Sequence, residues 1–255
     1  MEKETILEVE NLTIGYGGHT VVHGVSFSMK KGEVLALVGE SGSGKSTILK
    51  AILGVLSGNA CMESGDIRWR GCSILHNKDF RGKEIGMVFQ NTIDSLCSVR
   101  KIEDLVYEMV LCHENRSKQE IRKDILELFE KLDLSDGETI LSSYPFELSG
   151  GMAQRVGIAM ATMLHPKLLL ADEPTSALDV IAQAQVIKEL EALIQLEEMG
   201  LLLVTHNIML AARMASKVIV LQNGRIMESG NIKTVFTDPK SEYTKLLLQS
   251  VPKLE

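Results

Sequence analysis

Short apolar runs recur along the chain, and their patterns predict strands. The segments at 5–9 and 25–29 alternate, or nearly alternate, apolar and polar residues, which is typical of an antiparallel sheet with one exposed face. The runs at 34–38, 167–172 and 201–206 are apolar almost throughout, as in strands buried on both faces. Further strands are predicted at 64–75, 85–90 and 217–222. Both kinds of sheet are therefore expected.

Amphipathic segments lie between these runs and predict helices. One helix is expected from Ser46, directly after a glycine-rich stretch, and others at 182–198 and 208–215. From about 99 to 164 the periodicity is helical, most clearly in KQEIRKDILELFEKL. Strands and helices alternate again in the last third, which indicates a parallel sheet with right-handed crossovers. The sequence therefore predicts an α/β fold with a parallel-sheet core, an antiparallel β subdomain and an inserted helical subdomain.

The composition narrows the functional classes. Apolar residues make up 45% of the 255 positions, enough for one large α/β domain or a domain with a subdomain. The net charge of −7 argues against non-specific nucleic-acid binding, which usually requires a basic excess. No run approaches the roughly 18–20 apolar residues of a spanning helix, and the first residues do not resemble a secretory signal, so any membrane role is expected to come through a partner. The cysteine spacing fits no zinc site and indicates free thiols.

The stretch GESGSGKS at 39–46 fits the pattern GxxxxGK[ST], between a predicted buried strand and a predicted helix. Its glycines allow conformations in which successive N–H groups point at phosphate oxygens. Lys45 can supply positive charge for the β- and γ-phosphates, and the Ser46 hydroxyl can bind Mg²⁺. A nucleotide-binding phosphate loop is therefore predicted at 39–47. Its predicted nucleotide-binding residues are Gly39, Ser41, Gly42, Ser43, Gly44, Lys45, Ser46 and Thr47.

Two carboxylates mark the end of the predicted strand at 167–172. Asp172 ends a buried strand, where a carboxylate is costly without a cation or hydrogen bonds, so it is expected to bind Mg²⁺. Glu173 follows and is expected to act as the base that faces the attacking water, although a solvated turn pair is the alternative for both carboxylates. Gln90 and His206 end two other predicted strands, at the edge where open α/β sheets bind ligands. We expect His206 to contact the γ-phosphate, and Gln90 to contact the metal or the water.

A second glycine pair lies in LSGGMAQR at 148–155, which precedes a predicted helix. The N–H groups of Ser149, Gly150 and Gly151, together with the Ser149 hydroxyl, can bind a phosphate at the helix start. With all these motifs in order, the chain resembles the ATP-binding subunit of ABC transporters. LSGGMAQR is similar to the signature loop of that family, and SALD at 176–179 is similar to its D-loop.

The resemblance assigns further residues and the domain limits. Tyr16 is similar to the aromatic residue that stacks on adenine, Gln90 to the Q-loop glutamine and His206 to the switch histidine. Gln154 and Asp179, in the signature and D-loop segments, are also expected to contact the nucleotide. The implied architecture is one ATP-binding domain over 1–255, with a phosphate-loop (RecA-like) core and β subdomain at 1–90 and 165–255 and a helical subdomain at 91–164.

The resemblance also implies a mechanism and partners. In the family, two cassettes pack head to tail, and each ATP lies between the phosphate loop of one and the signature loop of the other. ATP with Mg²⁺ would hold this dimer, and hydrolysis would release it. The implied partners are a second cassette, of the same or a related chain, two transmembrane permease subunits and, indirectly, an extracytoplasmic solute-binding protein, with no nucleic acid. The expected location is the cytoplasmic face of the cell membrane.

Several segments, among them SSYPFELSGGMAQRVGIAMA and ALDVIAQAQV, are similar to the branch that imports oligopeptides, dipeptides, nickel or metal–metallophore complexes. Three positions depart from that branch. Cys97 and Ser98 stand where the branch usually has asparagine and proline, and Asn207 stands where aspartate is usual. The chain ends near 250 without the cysteine-bearing extension of many peptide importers, which favours the nickel or metallophore members.

Two other functions are compatible with parts of the sequence. A soluble ABC ATPase that acts on DNA or ribosomes would usually carry paired cassettes, coiled-coil insertions or basic linkers, which this sequence lacks. A structural cassette without hydrolysis is the second alternative. The presence of Lys45, Asp172, Glu173 and His206 argues against it. An ATP-hydrolysing importer subunit is therefore the preferred interpretation.

Overall fold

The structure, a computed structural model, describes residues 4–56, 58–75, 79–176 and 178–250. These residues form two compact units. The first contains the described residues of 1–79 and 200–255, and the second contains those of 80–199. The second unit is larger than the helical subdomain predicted at 91–164 because it includes strands as well as helices, and the predicted domain limits stay a prediction.

The elements of the described residues are numbered in chain order. The strands are β1 Thr5–Tyr16, β2 His19–Lys30, β3 Val34–Val38, β4 Ala60–Trp69, β5 Cys72–Ser73, β6 Ile85–Val88, β7 Leu168–Asp172, β8 Gly200–Thr205, β9 Lys217–Gln222 and β10 Arg225–Asn231. The α-helices are α1 Lys45–Leu53, α2 Thr92–Ser95, α3 Ile102–Leu111, α4 Lys118–Lys131, α5 Gly137–Ser142, α6 Gly150–Thr162, α7 Val180–Leu196, α8 Ile208–Met214, α9 Ile232–Thr237 and α10 Glu242–Gln249.

The first unit contains an antiparallel sheet in the order β2-β1-β4-β5. Both predicted strands at 5–9 and 25–29 are confirmed, and β1 and β2 are longer than predicted. The pairing of β1 with β2 shifts register between Val9 and Leu12 and again between Leu12 and Ile14. Each shift is a bulge or irregularity that displaces the alternation of buried and exposed side chains. These two shifts fall in the part of β1 that follows Val9, where the sequence pattern predicted no strand.

The other strands of the first unit run in the order β10-β9-β3-β8. Strand β3 pairs in parallel with β8 and with β9, so that Val38 lies opposite Thr205 on one side and Val220 on the other. Leu35 to Val38 are at most 2% exposed, which explains the continuous apolar run at 34–38. Because parallel strands end at one edge, the loop after Val38 and the residues after Thr205 emerge at the same edge of this unit.

The C-terminal part of the first unit contains elements that no sequence pattern had predicted. Strand β10 pairs in antiparallel fashion with β9 and alternates exposed and half-buried residues. Helices α9 and α10 follow it. Tyr243 of α10 is buried in a cluster with Ala36 and Val38 of β3. The core of this unit thus extends to the last described helix.

The second unit contains β6 and β7, which pair in parallel from Ile85 opposite Leu168 to Val88 opposite Ala171. The strands predicted at 85–90 and 167–172 are therefore confirmed. Helix α4 covers the clearest amphipathic segment and begins at a capping box formed by Ser117 and Glu120. Among the described residues, no helix combines the length and apolar character that a bilayer crossing requires.

Candidate active site

The phosphate loop of the first unit connects β3 to α1 and surrounds a buried lysine. Lys45 is 4% exposed, and its Nζ donates to the carbonyl oxygens of Gly39 at 2.8 Å and Glu40 at 2.7 Å. The Ser43 hydroxyl lies 3.4 Å from the same nitrogen. The loop therefore curls around its own cation, and the ammonium stands at the point where a phosphate would need positive charge.

The three glycines of the phosphate loop, Gly39, Gly42 and Gly44, have conformations that other residues rarely adopt. Gly39 has a φ of 155°, and a Cβ there would lie 2.1 Å from the carbonyl oxygen of Leu221. Backbone cannot yield by that amount, so a side chain at this position would displace the loop from β9. Gly42 has a φ of 80° with open space around it, so only its backbone conformation requires glycine. The pattern predicted both glycines, but not the contact with Leu221.

Other predicted residues of the phosphate loop lie beside it in the same unit. The Tyr16 hydroxyl is 3.4 Å from Thr47 Oγ1, which links the predicted adenine-stacking residue to the first turn of α1. Ser43 is buried, and its carbonyl accepts a hydrogen bond from Gly224 N at 3.0 Å. Ser41 is exposed, and Ser46 is half-buried. The loop is therefore exposed to solvent at Ser41 and is held by a backbone hydrogen bond at Ser43.

The second unit brings Gln90 and Glu173 together. Gln90 Nε2 donates to Glu173 Oε2 at 3.2 Å. Asp172 is the last residue of β7 and is 6% exposed, whereas Glu173 follows the strand with a φ of 45°. A non-glycine residue in this left-handed region is strained, and such strain is concentrated at functional sites. The turn separates the two carboxylates, so that one stays buried and the other meets the glutamine amide.

His206 directly follows β8, and its side chain is exposed. The next residue, Asn207, is the N-cap of α8, and its Oδ1 accepts a hydrogen bond from Leu210 N at 3.1 Å. Asparagine and aspartate cap helices about equally well. The departure from aspartate at this position is therefore compatible with the same turn after the histidine.

The signature loop, residues 148–155, starts α6 in the second unit. Ser149 is the N-cap, and its Oγ accepts a hydrogen bond from Met152 N at 3.3 Å. This bond uses a lone pair of the hydroxyl and leaves its proton available as a donor. Ser149 and Gly150 are exposed, and Gly151 is half-buried. The start of α6 thus offers an exposed set of donors with no lysine in its first turn.

Gln154 has a different environment from the rest of the signature loop. It is 4% exposed, and its Oε1 accepts a hydrogen bond from Thr92 Oγ1 at 2.8 Å. A Cβ at Gly157, one turn further along α6, would lie 2.6 Å from Thr92 Cγ2. Gln154 therefore contacts Thr92 of α2, which lies two residues after Gln90. The predicted contact of Gln154 with a nucleotide stays a prediction. Sequence reasoning missed Thr92, whose only signal was its closeness to Gln90.

Asp179 caps α7, and its Oδ1 accepts hydrogen bonds from Ile181 N and Ala182 N, each at 3.0 Å. The last residue of the signature loop also contacts α7: Arg155 Nε lies 3.0 Å from Glu189 Oε2. Burial raises the pKa of the Glu189 carboxyl, and Arg155 opposes that rise. This largely buried ion pair joins α6 to α7, and no motif predicted it.

Two side chains predicted to bind Mg²⁺ carry the donors that this ion prefers. Ser46 in the first unit offers a hydroxyl oxygen, and Asp172 in the second offers a carboxylate, and both are hard oxygen ligands. No cluster of three or more histidine, cysteine or acidic side chains that could hold a metal occurs in the described part of the chain. The close approach of Gly39 to Leu221 leaves no room for a side chain between the phosphate loop and β9.

Comparisons with known proteins identify relatives of this chain. A family model described as ABC transporter matches residues 22–176. The uncharacterized ABC transporter ATP-binding protein YejF of Escherichia coli (strain K12) is 42% identical over 98% of this chain, which spans 49% of the length of YejF. The oligopeptide transport ATP-binding protein OppD of Bacillus subtilis (strain 168) is 40% identical, with 98% of this chain and 73% of OppD covered.

Solved structures show the same fold. The ATP-binding cassette MJ0796, solved as a dimer in a post-hydrolysis state bound to ADP and Pi, is 27% identical with a TM-score of 0.78, covering 89% of this chain and 99% of that chain. The predicted α/β class, with a phosphate-loop core and an antiparallel β subdomain, is confirmed. On the family match at 22–176 and the likeness to OppD, the chain belongs to the ABC transporter family.

Proposed function

We propose that this chain is the ATP-hydrolysing subunit of a multi-subunit ABC importer. The observation that carries the proposal is the buried ammonium of Lys45, held by the carbonyl oxygens of Gly39 and Glu40 inside the phosphate loop. A buried cation in a glycine-rich strand–loop–helix segment fits the phosphates of ATP. Mg²⁺, when bound, neutralises charge on those phosphates.

The side chains have separate roles in this proposal. Lys45 and the loop amides bind and orient the phosphates, while Ser46 and Asp172 bind the metal. Glu173 holds the attacking water and takes its proton, and Gln90, whose amide contacts Glu173, orients that carboxylate. Tyr16 stacks on the base, and His206 contacts the γ-phosphate. Positioning and charge neutralisation are sufficient for in-line phosphoryl transfer.

A second cassette completes the site. The exposed start of α6, with Ser149 and Gly150, offers phosphate donors that face outward. The dimeric state of the ADP- and Pi-bound relative supports assembly of two cassettes around nucleotide. The second cassette is the same chain or a related one, and the exposed Asp179 lines its approach.

The transport partners follow from the family. Two permease subunits carry the solute across the membrane, an extracytoplasmic binding protein delivers it, and this chain lies at the cytoplasmic face. The name of OppD supports an oligopeptide as the solute. Nickel or a metal–metallophore complex is the second candidate, supported by the similarity of segments such as ALDVIAQAQV to the branch that also imports these solutes.

The test is ATP hydrolysis by the chain assembled with its permeases and a binding protein in vesicles. We expect a peptide-loaded binding protein to stimulate hydrolysis, and Glu173→Gln to lower turnover by about 10²- to 10⁴-fold while ATP binding persists. The amide keeps the size of the side chain and removes its basicity. Glu108→Gln, at an exposed ion pair with Arg100, is the matched control and should leave turnover unchanged.

Normal turnover in Glu173→Gln would remove this residue from the role of base. Stimulation by a nickel-loaded binding protein, with none by peptides, would replace the peptide with the metal as the solute. Full activity of the isolated monomer would contradict the role in an importer.

A further inference from the structure

The last described helix of the chain contacts the phosphate loop directly. Glu40 N, the first backbone amide after Gly39, donates a hydrogen bond to the Tyr243 hydroxyl at 3.3 Å. The two residues are 203 positions apart in the sequence. Both belong to the first unit, so the contact lies within one compact body. None of the phosphate-loop motifs predicts this contact.

Tyr243 is held by packing on the strand that leads into the phosphate loop. Its side chain is 8% exposed and lies in a cluster with Ala36 and Val38 of β3 and Val220 of β9. The ring therefore packs on β3, the strand that leads into the phosphate loop, and the hydroxyl contacts Glu40 of that loop. A hydroxyl on an immobile ring can hold a backbone amide at low entropic cost.

The start of α10 is anchored independently of the loop. Glu228 of β10 accepts hydrogen bonds from Lys240 N on one carboxylate oxygen and from Ser241 N on the other, each at 3.0 Å. Burial acts to raise the pKa of Glu228, but hydrogen bonds to the carboxylate, these two among them, and the charge of Lys240 together lower the pKa, which indicates that the ionised form makes the contact. Tyr243 therefore approaches Glu40 from a helix that β10 already holds.

The peptide group of Glu40 is held on both sides. Its N–H donates to Tyr243, and its carbonyl accepts from Lys45 Nζ at 2.7 Å. Phosphates that bind Lys45 compete with the carbonyls of Gly39 and Glu40 for the three donors of the ammonium. The bond from Glu40 N to the Tyr243 hydroxyl uses none of the donors of the ammonium, so the turn of Lys45 to the phosphates leaves this bond in place.

We propose that Tyr243 is a positioning residue of the nucleotide site, which keeps the phosphate loop in its binding shape when Lys45 turns to the phosphates. A preformed loop loses less conformational freedom on binding, so the effect is on ATP affinity and not on the chemical step. The inference rests on the proposed function, because it assigns ATP to this loop.

The test is Tyr243→Phe, which keeps the ring and its packing and removes the hydroxyl. We expect the ATP dissociation constant of the purified chain, and the KM for ATP, to rise about three- to tenfold, as for the loss of one hydrogen bond. The kcat at saturating ATP should stay unchanged. Tyr107→Phe is the control, since its hydroxyl contacts Arg122 in the second unit, and it should bind ATP like the unaltered chain.

An unchanged ATP affinity in a folded Tyr243→Phe chain would overturn the inference, including when its melting temperature falls. Glu228→Gln supplies a second variant, because it weakens the anchor of α10 without touching the ring, and a smaller rise of the same dissociation constant is expected. Failure of the proposed function is distinguishable: the unaltered chain would then not bind ATP, or Lys45→Ala would bind it equally well.

Discussion

The two glycine loops of this protein are built differently. The phosphate loop encloses a lysine that is 4% exposed, and its shape is maintained by contacts from Leu221, Gly224 and Tyr243. The signature loop begins a helix with an exposed serine and glycine and has no basic residue in its first turn. One loop supplies both a cation and a cradle, whereas the other supplies only outward-facing donors.

This difference predicts that the phosphate loop binds ATP and that the signature loop acts in the assembly of two chains. A loop with a buried cation can bind a highly charged ligand by itself, since the charge is already desolvated and in place. A helix start carries only a partial positive charge, and its contribution is about 0.3–1 kcal/mol when exposed. The signature loop is therefore expected to contribute only after ATP is bound to the phosphate loop of another chain.

The largest effect is expected for Lys45→Ala, which removes the cation from the phosphate loop. Loss of one partner of a buried charge pair costs about 2–5 kcal/mol, so ATP affinity should fall by about thirtyfold or more. Isothermal titration of the isolated chain with ATP measures this. Lys50→Ala, in the last turn of α1, is the matched control. If Lys45→Ala and the unaltered chain bind ATP with equal affinity, the proposed difference between the two loops is wrong.

A smaller effect, confined to assembly, is expected for Ser149→Arg. The change removes the N-cap and places a positive charge at the positive end of α6. ATP-driven dimerisation of a Glu173→Gln background should weaken by about tenfold or more, measured by analytical ultracentrifugation. The ATP dissociation constant of the monomer should change by no more than about twofold, because the phosphate loop is unaltered. Ser149→Thr keeps both cap and hydroxyl and should dimerise normally. Loss of monomer binding in Ser149→Arg would mean that the loop serves its own chain.

The smallest effect is expected for Thr92→Val, which keeps the shape of the side chain and removes the hydroxyl that donates to Gln154. The buried amide oxygen then loses its donor, and the free energy of unfolding should fall by about 1–3 kcal/mol, measured by urea titration. Because α6 loses this link to α2, dimerisation should weaken by about 0.5–1 kcal/mol while ATP binding by the monomer is unchanged. Thr92→Ser should restore both. Normal dimerisation of Thr92→Val would mean that Thr92 stabilises the fold but does not contribute to dimer assembly.

The sequence predicted most strands because their burial leaves a local pattern. The apolar runs at 34–38 and 167–172 correspond to β3 and β7, and the helix in KQEIRKDILELFEKL corresponds to α4. The pattern failed where local and tertiary signals differ. Strand β1 continues past its bulges to Tyr16, and β10 alternates only exposed and half-buried residues, so neither has the apolar period that a sequence rule detects.

The sequence by itself determined the family and the residue types of the phosphate loop, because a glycine without a Cβ, a lysine charge and a hydroxyl at fixed spacing are local requirements. It did not reveal that Gln154 is buried against Thr92, or that Gly39 lies against Leu221. Only the tertiary structure decided that Tyr243 contacts Glu40, since a hydrogen bond across 203 positions depends on where α10 packs. Long-range contacts of this kind leave no spacing in the sequence, because packing of the whole unit sets them.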